Sequence, residues 1–169
     1  RTGAREYGAH NEDTSVNQDS LWHFFRMAAV LHNGLALGDM ELQNYTVDAR
    51  VALCMAAVRQ NGRALRSVPR EMQTLEIVEA AVANDATAAH YMRDPEVAMA
   101  ILLERPELLR YEPLDLGGNA LRNIRRAVLQ RDGSAFQHLP SLDRTLEYLR
   151  LALQTFPWAI NYWPADRHL

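Results

Sequence analysis

A chain of 169 residues, 48% of them hydrophobic, carries enough apolar material for one continuous core, and its single cysteine, Cys54, excludes an internal disulfide and any site built on paired thiolates. Eighteen cationic residues against 21 anionic ones give a net charge of −3 with no basic block, so the charge pattern offers no footprint for a nucleic-acid backbone. No apolar run approaches the roughly 18 residues of a membrane span.

All 18 cations are arginine, where ordinary usage would supply on the order of ten lysines. Two causes produce such a chain: drift of a GC-rich genome from Lys to Arg codons, or selection against ubiquitin-acceptor amines in a protein that works inside a eukaryotic cell.

The chain opens on Arg1 and runs polar to Gln18. Residues 1–18 are therefore expected to be a loose segment ahead of a helical-repeat domain at 19–169, the whole cut from a longer polypeptide. Self-similarity defines that domain. Thr74–Met92 (TLEIVEAAVANDATAAHYM) aligns without a gap on Thr145–Trp163 (TLEYLRLALQTFPWAINYW). With Val82 and Leu153 as anchors, the frame recurs at Val30, Val58, Leu102 and Val128, giving six copies spaced 28, 24, 20, 26 and 25 residues apart.

The first copy places His23 and Arg26 in its anchor helix and is the atypical, polar end that a capped array needs. From the second copy onward, apolar residues seven, four and one before the anchor join it in a helical stripe: Val51, Cys54, Ala57 and Val58, then Leu75, Val78, Ala81 and Val82. In the fifth and sixth copies the stripe reads Leu121, Ile124, Ala127 and Val128, then Leu146, Leu149, Ala152 and Leu153. Thr74, Asp94 and Thr145 stand eight residues before their anchors as N-caps, with Glu76, Glu96 and Glu147 in the first turns; Asn119 takes the part ahead of Val128.

After each anchor comes a turn signal: Asn33-Gly34, Asn61-Gly62, Asn84-Asp85, Arg105-Pro106, Asp132-Gly133 and Phe156-Pro157. These fit an exit from the helix through a left-handed residue, or a proline opening the next helix. An apolar residue follows seven positions after each anchor, at Leu37, Leu65, Ala89, Leu109, Ala135 and Ile160, with Phe136 the better fit if the fifth copy holds an inserted residue. Pro69, Pro113, Pro140 and Pro164 then stop a second, shorter helix. The expectation is an all-α, solenoid-like array of about six helical hairpins.

The frame resembles a family of short tandem repeats of unknown function with an AV-x-x-N-G-x-x-L core. Ala57-Val58-Arg59-Gln60-Asn61-Gly62-Arg63-Ala64-Leu65 carries the likeness most sharply, and Ala29-Val30-Leu31-His32-Asn33-Gly34-Leu35-Ala36-Leu37 next. Arrays of this kind occur in bacterial and protist proteins, secreted effectors among them. The resemblance implies a fold and an effector context in a host cell, and it carries no reaction.

No catalytic, cofactor or metal set stands out. The six histidines, His10, His23, His32, His90, His138 and His168, lack the i, i+4 pairing of a helical metal site. Cys54 sits on a core stripe, and Asp13, Asp39 and Glu41 have no aligned proton-transfer partner. Two features suit a partner. Arg122, Arg125 and Arg126, with Arg131 nearby, form a cationic helix face, and Trp158 and Trp163, with Phe156 and Tyr162, close the last copy. The function expected is therefore a protein–protein interaction module of a larger bacterial protein, binding a host protein or the rest of its own chain. The alternatives are a scaffold that positions a neighbouring catalytic domain and an enzyme with an unrecognised site.

Overall fold

The computed structural model describes residues 14–113 and 115–166, with side chains from Leu21 onward. Every regular element in it is helical. The α-helices are α1 (Thr14–His32), α2 (Val47–Gln60), α3 (Leu75–Asn84), α4 (Pro95–Glu104), α5 (Gly118–Arg131) and α6 (Leu146–Thr155). Each is followed by a six-residue 3-10 helix: Gly34–Asp39, Gly62–Ser67, Ala86–Tyr91, Pro106–Tyr111, Gly133–His138 and Pro157–Tyr162. Successive α-helices pack on one another, and so do successive 3-10 helices, so the six hairpins stack into two layers with the core between them. Residues 14–18, read from sequence as part of a loose segment, belong to α1, and the rest of that segment lies outside the described residues.

The caps form where the sequence placed them. Thr74 Oγ1 accepts from the Ile77 N–H, Thr145 Oγ1 from the Tyr148 N–H, and Asp94 Oδ1 from the N–H groups of Glu96 and Val97. Asn119 does not cap α5. It lies inside the helix, which starts two residues earlier than expected, with Gly117 as an N-cap that makes no side-chain hydrogen bond.

Pro106 and Pro157 open their 3-10 helices as the sequence reading has it, but the Asn and Asp corners work differently. No described residue has positive φ. Asn33, Asn61, Asp85 and Asp132 are extended, and each side chain accepts the N–H two residues on, which starts the 3-10 helix as an N-cap. The glycines serve close approach instead. A Cβ on Gly34, Gly62 or Gly133 would lie 2.3, 2.4 or 2.1 Å from the carbonyl oxygen of Ala57, Ala81 or Ala152 in the following repeat. Each glycine N–H also donates to the last residue of the following helix, at Gln60 Oε1, Asn84 Oδ1 and Thr155 Oγ1.

Two parts of the frame are corrected. In the fifth repeat the Asp132 N–H donates to the Val128 carbonyl, as Asn61, Asp85 and Phe156 donate to Ala57, Ala81 and Ala152. Leu129 is therefore the anchor, Val128 sits one before it, and Phe136 follows by seven without an insertion between them. The stripe also shifts. Positions seven before the anchor, Val51, Leu75 and Leu146, are exposed, and positions five before it are buried instead, at Leu53, Ile77, Ile124 and Tyr148. Helices of an inner layer bury the face that points at both the neighbouring helix and the 3-10 layer, and the residue seven before the anchor falls outside that arc.

Gln73, 3% exposed, stitches the 3-10 layer. Its Nε2 lies 3.3, 3.3 and 3.0 Å from the carbonyl oxygens of Leu65, Val68 and Tyr91, and its Oε1 accepts the Arg93 N–H. Arg144 occupies the equivalent place before the α6 cap and donates to the carbonyls of Gln137, Leu139 and Tyr162. Both side chains bond carbonyl groups at the ends of two consecutive 3-10 helices and so tie those helices together.

Candidate interaction surface

The outward face of the α layer carries exposed and half-buried apolar side chains on four of its helices. Val51 and Met55 on α2, and Pro95 and Met99 on α4, are spaced i, i+4 and so share one face. Leu75 and Leu146 continue the row of Val51 on α3 and α6, both exposed. Between the helices run shallow grooves. One of about 590 Å³ lies between α1 and α2 and is lined by Met27, Leu31, Ala52, Met55, Ala56 and the stem of Arg59. A second of about 230 Å³, between α3 and α4, is floored by Val82, Ala83, Ala100 and Ile101 and rimmed by Glu79, Glu104 and Arg105. A third of about 370 Å³, between α4 and α5, is lined by Pro95, Met99, Ala120 and Ile124 with Glu96 and Asn123.

Two of the three grooves lie at corners without a glycine. Ala86 and Pro106 stand where Gly34, Gly62 and Gly133 allow a neighbouring backbone to approach, so the third and fourth repeats lack the glycine contact that draws the next helix in. Pro106 also has no N–H to donate to Arg131, the last residue of α5. Glu104, the counterpart of Asn84, is turned instead to Arg131 Nη1 at 3.0 Å. The two grooves between α3, α4 and α5 lie at these two glycine-free junctions.

Of the sequence-derived partner residues, the structure brings Arg125 into the interior. Its side chain is 11% exposed and makes a two-pronged contact with Glu112, from Nε to Oε1 at 2.7 Å and from Nη2 to Oε2 at 2.6 Å. Asp143 stands 3.1 Å from Nη2, and the guanidinium lies 5.9 Å from the Tyr148 ring centre. Burial pushes the Glu112 carboxyl up while the Arg125 charge pulls it down. Glu112 and Arg125 occupy positions, ten after and four before the anchor, that hold Val68, Met92 and Leu139 and Cys54, Val78 and Leu149 in other repeats.

Arg126 pairs with Glu147 at 2.6 Å on the surface, where both are half exposed and the pair stabilises little. Arg122 is exposed on the outward face, Trp158 is 67% exposed at the end of the array, and Trp163 is half-buried against the core. The three arginines do not form one face.

A separate cleft of about 600 Å³ lies between α1 and the start of α2, lined by Trp22, His23, Arg26, Asn44, Tyr45, Thr46 and Ala49. Arg26 donates to the Tyr45 hydroxyl and stacks 5.4 Å from its ring centre, and His23 tilts against the same ring at 5.9 Å. No local pattern in the sequence signals this cleft, because Tyr45 reaches Arg26 from another repeat.

His90 Nδ1 lies 3.0 Å from the Glu112 carbonyl oxygen, and His138 Nδ1 3.0 Å from Arg110 Nη2. Glu41 accepts from Asn44 Nδ2, and Asp39 is exposed. Cys54 is fully buried, with its thiol pushed up to about 11 by that burial. His10, Asp13 and His168 lie outside the described residues. Among the described residues no three His, Cys, Asp or Glu side chains converge as metal ligands, and no helix is long and apolar enough to cross a membrane. Comparison with known proteins finds no family model, curated protein or solved structure that matches the chain.

Proposed function

We propose that the array is a protein-interaction module that takes apolar side chains of a partner into the grooves of its outward α face. The observation that carries this reading is the pair of inter-helix grooves lined by Met27, Met55 and Met99 beside the exposed aliphatic residues Val51, Leu75 and Leu146. Methionine is unbranched and polarisable, so grooves built on it adapt to the shape of what they receive. Apolar surface rimmed by charge, here Glu79, Glu104 and Arg105, marks interaction sites on soluble domains. The likeness to repeats found in secreted effectors supports a host protein as the partner.

The test replaces methionine by its photoreactive diazirine analogue, irradiates the protein in eukaryotic cell lysate, and maps the crosslinked peptides. Adducts to one recurring protein through Met55 and Met99, abolished by Met55→Glu and Met99→Glu, support the reading. Adducts that survive both substitutions, or none through these methionines, overturn it.

A further inference from the structure

Two sets of positions form each junction between repeats. A repeat offers its following neighbour the anchor and the residue seven after it, and offers its preceding neighbour the residues five and one before the anchor. The burial pattern follows this division through the array. Positions five and one before the anchor are buried in the second, third, fifth and sixth repeats, at Leu53 and Ala57, Ile77 and Ala81, Ile124 and Val128, and Tyr148 and Ala152. In the first repeat the same positions are Phe25, 60% exposed, and Ala29, also exposed. Anchors and the residues seven after them are buried from the first repeat to the fifth, at Val30 and Leu37 through Leu129 and Phe136. In the sixth they are Leu153 and Ile160, 36% and 39% exposed.

The exposed apolar residues at the two ends are thus the two unmatched halves of one interface that the molecule already makes five times. We infer that a second copy of this chain docks its first repeat on the sixth repeat of the first, continuing the stack head to tail. The corner chemistry agrees. Pro157 stands where Gly34, Gly62 and Gly133 donate an N–H to the next repeat, so this end has no donor there to be stranded, and the new junction matches the one at Pro106 and Arg131. Arg63, five after its anchor, reaches across to Asp85, three after the next. Trp158 holds the place of Arg63 in the sixth repeat and would cover Asn33, the counterpart of Asp85 in the first. Because the two surfaces differ, the contact is heterologous and does not close at a dimer.

Sedimentation velocity on the full chain over a hundredfold concentration range tests the inference, with Phe25→Asp and the double variant Leu153→Asp/Ile160→Asp beside it. The parent is expected to grow from monomer through dimer to longer species, and each variant to stay monomeric. An equimolar mixture of the two variants should give a complex of twice the monomer mass and nothing larger, since each supplies the half that the other lacks. A parent that stays monomeric throughout, or self-association that survives in either variant, overturns the proposal. Should an aspartate variant fail to fold, Ala29→Cys and Pro157→Cys copies replace it. Under mild oxidation a disulfide between the two different variants is expected in preference to one between like copies, and equal yields of all pairings would overturn the head-to-tail contact.

Discussion

Gly62 donates its N–H to Asn84 Oδ1 at 2.8 Å, and the same amide returns a hydrogen bond from Nδ2 to the Arg59 carbonyl at 2.9 Å. The side chain that ends α3 therefore clamps the corner between α2 and its 3-10 helix. Gln60 clamps the preceding corner in the same way, accepting from the Gly34 N–H and donating to the His32 carbonyl.

This clamp makes Gly62→Ala a severe change although Gly62 has an ordinary backbone conformation. The added methyl would lie 2.4 Å from the Ala81 carbonyl oxygen, which is held in a helix and cannot swing aside. Overpacking of this kind costs about 2 kcal/mol, or a fall in melting temperature of roughly 4–8 °C for a chain of this size. Ala86→Gly at the equivalent corner is the control. It relieves no contact and should cost less than about 1 kcal/mol, through backbone entropy alone. Thermal melts followed by circular dichroism separate the two, and equal losses would mean that the glycine contact is not what holds the corner.

The repeat itself was legible because its signals are local. Thr74, Asp94 and Thr145 cap helices whose first N–H groups lie two or three residues away, and that chemistry reads directly from the chain. What required the fold is what depends on a neighbouring repeat. The fifth anchor was misplaced because Ala127-Val128-Leu129 lets an apolar stripe run in either register, and the correct one puts Arg125 in the core, which looks wrong until Glu112 is seen beside it from the preceding repeat. Likewise Val51, Leu75 and Leu146 satisfy a helical period but face outward, since periodicity marks an apolar row without saying which side is covered.

Arg125 and Glu112 form the most enclosed ion pair among the described residues, at 11% and 16% side-chain exposure. Removing one partner strands the other: Arg125→Leu is expected to cost about 3 kcal/mol. Replacing both by leucine, in keeping with the apolar residues found at these positions elsewhere in the array, leaves no charge buried and should fall within about 1 kcal/mol of the parent or above it. Urea unfolding of the two single variants and the double one completes the cycle. Additive losses would show that the two side chains do not act as a pair.

His138 links stability to pH. Burial, assisted by the Arg110 guanidinium, holds its imidazole below the usual value of 6.5. The folded protein therefore binds this proton less tightly than the unfolded chain, so the sign of the linkage is fixed. His138 costs no stability above about pH 6.5, and its penalty grows as pH falls from there through the depressed folded value. The slope of unfolding free energy against pH between these limits should flatten in His138→Asn, which keeps an acceptor near Arg110 without a titrating group. An unchanged slope would assign the dependence to other groups.

Cys54 should be chemically silent in the folded state. Burial pushes its thiol up to about 11, with Arg50 opposing, and no part of the side chain reaches solvent. The shift alone reduces the thiolate at neutral pH by about 100-fold relative to a free cysteine, and enclosure adds a steric barrier. Iodoacetamide is expected to label the native protein at a rate set by opening of the second repeat rather than by reagent concentration once reagent is in excess, and to label it at once in urea. Gly62→Ala, which loosens the junction between the second and third repeats, should raise the native rate by the factor by which it speeds that opening. Rapid native labelling that follows reagent concentration and ignores Gly62→Ala would place Cys54 at the surface and undo the register assigned to α2.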